Sequence, residues 1–82
     1  MNQSIRMYTT AYCPDCRRAK QFCRMRQLQF EEIDIEGNPE AEEFVKRANH
    51  GKRKVPTFDV NGRIFHCSPF DAEKMAQELG VE

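Results

Sequence analysis

Cys13-Pro14-Asp15-Cys16 sets two thiols three positions apart around a proline. The run before it, Ser4 to Thr9, alternates polar and apolar residues with β-formers and reads as a strand. Pro14 suits the first residue of a helix, so the motif falls on a strand-to-helix turn. There, unpaired amides and the helix dipole favour an anion at Cys13, hence its thiolate. Cys16, one turn later, lies within reach of a mixed disulfide formed at Cys13. The chemistry expected is thiol–disulfide exchange, with Cys13 as nucleophile and Cys16 as resolving thiol. The same spacing also serves structural zinc, with His66 and Cys67 as further ligands, or a structural disulfide. The strand-to-helix position favours the redox use.

The elements that must hold this motif follow from periodicity and punctuation. A helix is expected from Pro14 to about Gln27, with Ala19, Phe22, Cys23 and Arg26 on one face. Gln29 to Ile35 reads as a second strand carrying Phe30, Ile33 and Ile35, and Gly37 breaks it. Asn38-Pro39-Glu40 is a strong helix start, and that helix carries Ala41, Phe44, Val45 and Ala48 to an end near Asn49-His50-Gly51. Thr57 to Val60 and Arg63 to His66 form a hairpin across Asn61-Gly62. Ser68-Pro69 is expected to cap a last helix bearing Phe70, Met75 and Leu79. The order is β-α-β-α-β-β-α, an α/β chain. Its strand-helix-strand unit is parallel and its hairpin antiparallel, giving a mixed sheet.

Eighty-two residues suit one domain, 1–82, and 39% hydrophobic with 32% charged residues argue against disorder. Thirteen bases balance thirteen acids, which gives no general reason to bind nucleic acid or an anionic membrane. No apolar run is long enough to span a bilayer, so a cytoplasmic site is expected, where structural disulfides rarely persist. The charge is uneven: basic residues dominate up to Arg26, acids alone occupy Gln27 to Val45, and Lys46, Arg47, Lys52, Arg53 and Lys54 follow. The basic stretches read as solvated helix faces or as a positive rim around the thiols. Arg53 and Lys54 are placed to meet a substrate carboxylate, while Lys52 reads as solvated. His66 reads as a strand residue. Cys23 reads as a small buried hydrophobe, and Cys67 as a core residue or a regulatory thiol. Tyr12 stands next to the nucleophile, and Val55-Pro56-Thr57 opens the third strand, where a proline without an amide hydrogen fits.

Strand, Cys-Pro-x-Cys, helix, strand, helix, Val-Pro-Thr, hairpin and helix together resemble a glutaredoxin over essentially the whole chain. The resemblance is strongest to the mycoredoxin type, through Tyr8-Thr9-Thr10-Ala11-Tyr12-Cys13, Ile33 to Asn38, Ala41 to Val45 and Arg53 to Thr57. It implies a thioredoxin fold with a four-stranded mixed sheet flanked by three helices, a cis Pro56 and an attacking Cys13. It also implies a thiol–disulfide oxidoreductase that binds no cofactor and uses glutathione or mycothiol as cosubstrate. Its implied partners are disulfide-containing proteins, and it is expected to act as a monomer. The residues expected to bind the substrate thiol are Tyr12, Arg53, Val55, Pro56, Thr57, Ser68 and Asp71. Two departures stand out. Glutathione-using members usually have Gly-Gly before the last helix, where this chain has Cys67-Ser68-Pro69-Phe70-Asp71. Asp15 replaces a commonly aromatic residue, and its carboxylate is expected to oppose the thiolate. The first departure keeps open a redoxin reduced directly by thioredoxin reductase. A non-catalytic zinc or redox-sensing module is the remaining alternative.

Overall fold

The computed structural model describes residues 4–81. Its elements are β1 (Ile5–Thr9), α1 (Pro14–Met25), β2 (Glu31–Asp34), α2 (Pro39–Ala48), β3 (Thr57–Val60), β4 (Arg63–His66) and α3 (Ala72–Leu79). The four strands form one sheet in the order β2-β1-β3-β4. β1 runs parallel to β2, in register Tyr8 with Ile33, and antiparallel to β3, in register Tyr8 with Thr57. β3 and β4 form the expected antiparallel hairpin, with Asn61 and Gly62 both at positive φ as a tight turn between twisted strands requires.

Side-chain alternation along β1 divides the interior into two layers. Ile5 and Met7 join Ala19, Phe22 and Cys23 of α1, Phe58 and Val60 of β3, and Met75 and Leu79 of α3. Tyr8 points the other way and packs with Ile35, Ala41 and Val45 against α2. Helices thus cover both faces of the sheet, each held by an apolar stripe. Full burial of a side chain such as Phe58 contributes roughly 1.5–3 kcal/mol. Phe58 also stacks on Phe65 with ring centroids 4.9 Å apart.

α2 starts as its sequence requires: Asn38 Oδ1 accepts the Ala41 amide at 3.2 Å and Pro39 follows the cap. α1 ends at Met25, before the expected Gln27, which turns to φ 56° and lets the Leu28 amide reach the Cys23 carbonyl at 2.9 Å. Its buried face holds Cys16 with Ala19, Phe22 and Cys23, whereas Arg26 lies over the Phe22 ring, 3.6 Å from its centroid. The start of α3 corrects the sequence expectation. Asp71, not Ser68-Pro69, is the cap, because its carboxylate accepts the Glu73 and Lys74 amides at 3.0 and 3.2 Å. The Ser68 amide instead donates to His66 Nδ1 at 3.3 Å.

Candidate active site

The β1-to-α1 turn delivers Cys13 as the helix cap, in extended backbone conformation, with Pro14 opening the helix. Cys13 Sγ accepts the Cys16 amide at 3.0 Å and its carbonyl accepts the Arg17 amide at 3.1 Å. The cap position, filled in most helices by a short oxygen side chain, is here filled by sulfur. On its other side the Cys13 thiol faces the Val55 carbonyl at 3.6 Å. Cys13 is half-buried while Cys16 has no exposed surface. Burial, followed by a hydrogen bond to Cys13, pushes the Cys16 thiol up to about 12, with the Thr10 backbone and Lys20 opposing. The two thiols are therefore unequal: one is reachable and held by an amide donor, the other is buried and protonated.

The wall opposite Cys13 is Val55-Pro56, and both this peptide bond and Ser68–Pro69 are cis. The cis Pro56 implied by resemblance is present. The Pro56 carbonyl accepts the Cys67 amide at 3.0 Å, which ties the chain beyond β4 to this wall. Cys67 is buried, its thiol pushed up by desolvation, and its Sγ accepts the Asp71 amide at 3.2 Å. Asp15 Oδ1 accepts the Phe70 amide at 3.2 Å and lies 3.5 Å from Arg18. The Asp15 carboxylate is thus engaged by α1 and by the segment ahead of α3. No local pattern signals that link, which joins residues 55 positions apart.

The other expected binding residues are placed unevenly. Val55 and Pro56 stand beside Cys13. Tyr12 is 94% exposed at the rim. Thr57 is fully buried, and its hydroxyl donates to the Lys54 carbonyl at 2.6 Å and accepts from Asn49 Nδ2 at 3.1 Å. It braces the turn before β3 rather than facing outward. Arg53 holds Glu36 at 2.5 Å and Glu42 at 2.6 Å, so its guanidinium is already matched by two carboxylates. Asp71 is occupied as the α3 cap, and Ser68 lies in the loop before it. Cys23 is buried as expected, its thiol raised to about 11 by desolvation. Among the described residues, Cys13, Cys16, His66 and Cys67 do not converge: no three His, Cys, Asp or Glu side chains could hold a metal ion.

Residues 5–65 match the Glutaredoxin family. Mycoredoxin 1 of Corynebacterium glutamicum is 31% identical over 74 residues, covering 90% of this chain and 91% of that protein. A glutaredoxin-like relative from Mycobacterium tuberculosis is 41% identical over 54 residues, and the match spans 66% of this chain but 64% of the relative's length. The crystal structure of a glutaredoxin from Archaeoglobus fulgidus superposes with a TM-score of 0.78 over 94% of this chain and 86% of that one; at 23% identity the likeness bears on the fold alone. The thioredoxin fold, a mixed four-stranded sheet between helices, agrees with that solved glutaredoxin. The chain belongs to the glutaredoxin family, a family of thiol–disulfide oxidoreductases.

Proposed function

We propose that this chain reduces protein disulfides and mixed disulfides at Cys13, with electrons from glutathione or mycothiol. The supporting observation is the inequality of the two thiols: Cys13 Sγ is accessible and accepts the Cys16 amide at 3.0 Å, whereas Cys16 is buried. In the first step the Cys13 thiolate attacks one sulfur of the substrate disulfide. The substrate S–S bond breaks, its electron pair leaves on the other sulfur, and that thiolate takes up a proton. Two releases follow. Cys16 can give up its proton and attack Cys13, freeing the second substrate thiol and leaving a Cys13–Cys16 disulfide. Alternatively, when the group left on Cys13 is glutathione or mycothiol, an external small thiolate attacks that group's sulfur, the Cys13 S–S bond breaks, Cys13 leaves as its thiolate, and the two small thiols depart joined as their disulfide. Burial keeps Cys16 protonated near neutral pH, which supports the external thiol as the faster release. The mycoredoxin relative makes mycothiol a cosubstrate to test beside glutathione.

One observation favours a second reading, direct reduction by thioredoxin reductase. The amides of Phe70, Asp71, Glu73 and Lys74 are all engaged within the chain, which leaves few donors there for a small thiol's carboxylate. NADPH-coupled reduction of a small mixed disulfide separates these readings when run with glutathione and its reductase, mycothiol and its reductase, or thioredoxin reductase alone. Turnover with either small thiol, lost in Cys13→Ser and kept in Cys16→Ser, is the expected result. Turnover with thioredoxin reductase only would replace it with the dithiol cycle, and an active Cys13→Ser would overturn both.

A further inference from the structure

The end of α2, the turn before β3 and the last residue of β4 enclose a cavity of about 240 Å³, lined by Ala48, Asn49, His50, Lys52, Lys54 and His66. No carboxylate lines it. Among the described residues Lys52, Lys54 and Lys74 have no ion-pair partner, whereas seven other lysines and arginines each hold a carboxylate. Arg53, the neighbouring cation, is held by Glu36 and Glu42. Arg17 and Arg24 of α1 likewise hold no carboxylate, but Lys52 and Lys54 are the two such cations that line this cavity. His66 lies within it: burial first, then Lys74 and Lys54, keep its imidazole below the usual histidine range. Its Nδ1 accepts the Ser68 amide at 3.3 Å, which leaves Nε2–H as the donor the neutral ring can offer.

This cavity adjoins the thiol site along two segments. Lys54 precedes Val55, whose carbonyl faces the Cys13 thiol at 3.6 Å. His66 precedes Cys67, whose amide donates to the Pro56 carbonyl at 3.0 Å. The cavity is smaller than the roughly 300 Å³ at which small-molecule pockets begin, so it suits one side chain rather than a whole ligand. β4 is an outer strand of the sheet, open to a chain passing along that edge.

We propose that Lys52, Lys54 and His66 form a subsite for a carboxylate side chain flanking the cysteine of the disulfide attacked by Cys13, so that acidic protein segments are the preferred substrates. The proposal rests on the exchange reaction at Cys13 and adds the chemical class of its protein substrate. Its action is steering and orientation: the amines of exposed Lys52 and half-buried Lys54, with an N–H donor, draw an acidic segment in and set its cysteine beside Cys13.

The test uses two peptides, each with one cysteine in a mixed disulfide with 5-thio-2-nitrobenzoate, identical except for Glu or Gln flanking the cysteine. Cys13 attacks the peptide sulfur, the S–S bond breaks and the coloured thiolate leaves, so one turnover is read without a cosubstrate. At low salt the reduced protein is expected to react about three- to tenfold faster with the Glu peptide, the sum of a few partly exposed charge pairs. That ratio falls toward one in Lys52→Gln/Lys54→Gln and at high ionic strength, while Lys46→Gln, a cation outside the cavity, keeps it. Equal rates for the two peptides, a ratio that survives in the double variant, or an equal fall in Lys46→Gln would overturn the subsite. If wild-type protein releases no colour from either peptide, the exchange reaction at Cys13 falls with it.

Discussion

Asp15, between the two cysteines of the turn, accepts a hydrogen bond from the backbone amide of Phe70 at 3.2 Å. The head of α1 is thereby tied to the loop that leads into α3. The same loop is held from below by Cys67, whose sulfur takes the Asp71 amide and whose own amide binds Pro56. A residue chosen within the motif thus sets the shape of a segment on the far side of the thiols.

Asp15→Ala is expected to release the Phe70 amide. Its hydrogen exchange should accelerate, and the protein should lose about 1 kcal/mol, since the carboxylate is only partly shielded from water. Asp15→Asn keeps an acceptor oxygen and should restore most of the protection. Amide exchange with urea unfolding reads both; a Phe70 amide equally protected in Asp15→Ala would show that the loop is held without it.

Asn49 makes a buried bridge, donating to the Val45 carbonyl at 2.8 Å and to Thr57 Oγ1 at 3.1 Å. Asn49→Ala leaves that carbonyl buried without its partner and should destabilise the fold by about 1–3 kcal/mol. Thr57 Oγ1 holds the Lys54 carbonyl, so the turn carrying Val55 should also loosen. The urea midpoint measures the first effect. The second appears as a change in the environment of Val55 in nuclear magnetic resonance spectra, and unmoved Val55 resonances would refute it.

Burial raises Cys23 to about 11 and Cys16 to about 12 from an ordinary 9.0. The unfolded chain therefore loses these protons first as pH rises. Between about pH 9 and 12 the folded state binds more protons than the unfolded state, so stability must fall. Below pH 9 both states are protonated and the contribution is fully present. In reduced protein, Cys23→Ala should flatten this decline by about 2 kcal/mol between pH 9 and 11, a shift of that size following from about 1.4 kcal/mol per pKa unit. Urea midpoints measured across that range check it, and parallel slopes for the two proteins would contradict it.

Much of this molecule is legible in its residues because the signals are local. A proline after Cys13, Asn38 before Pro39, and Asn61-Gly62 between alternating strands each act through the backbone within a few positions. They suffice for the order of elements and for placing both thiols at a helix start. The unequal fates of those thiols follow partly from the same helix, whose inward face carries Cys16 with Ala19, Phe22 and Cys23.

What the tertiary structure alone decided are the contacts between residues far apart in the chain. A helix cap depends on which side chain ends up facing the amides. Ser68 and Asp71 are both ordinary capping residues, and only packing around Cys67 selects Asp71. Charge partners are equally non-local. Arg53 reads as a free cation until Glu36 and Glu42 fold against it, and Lys52 stays exposed as expected but is set by the fold at a cavity shared with the end of α2 and His66. A sequence records how many charges a chain carries; the sheet and its helices decide which of them are matched and which remain for a substrate.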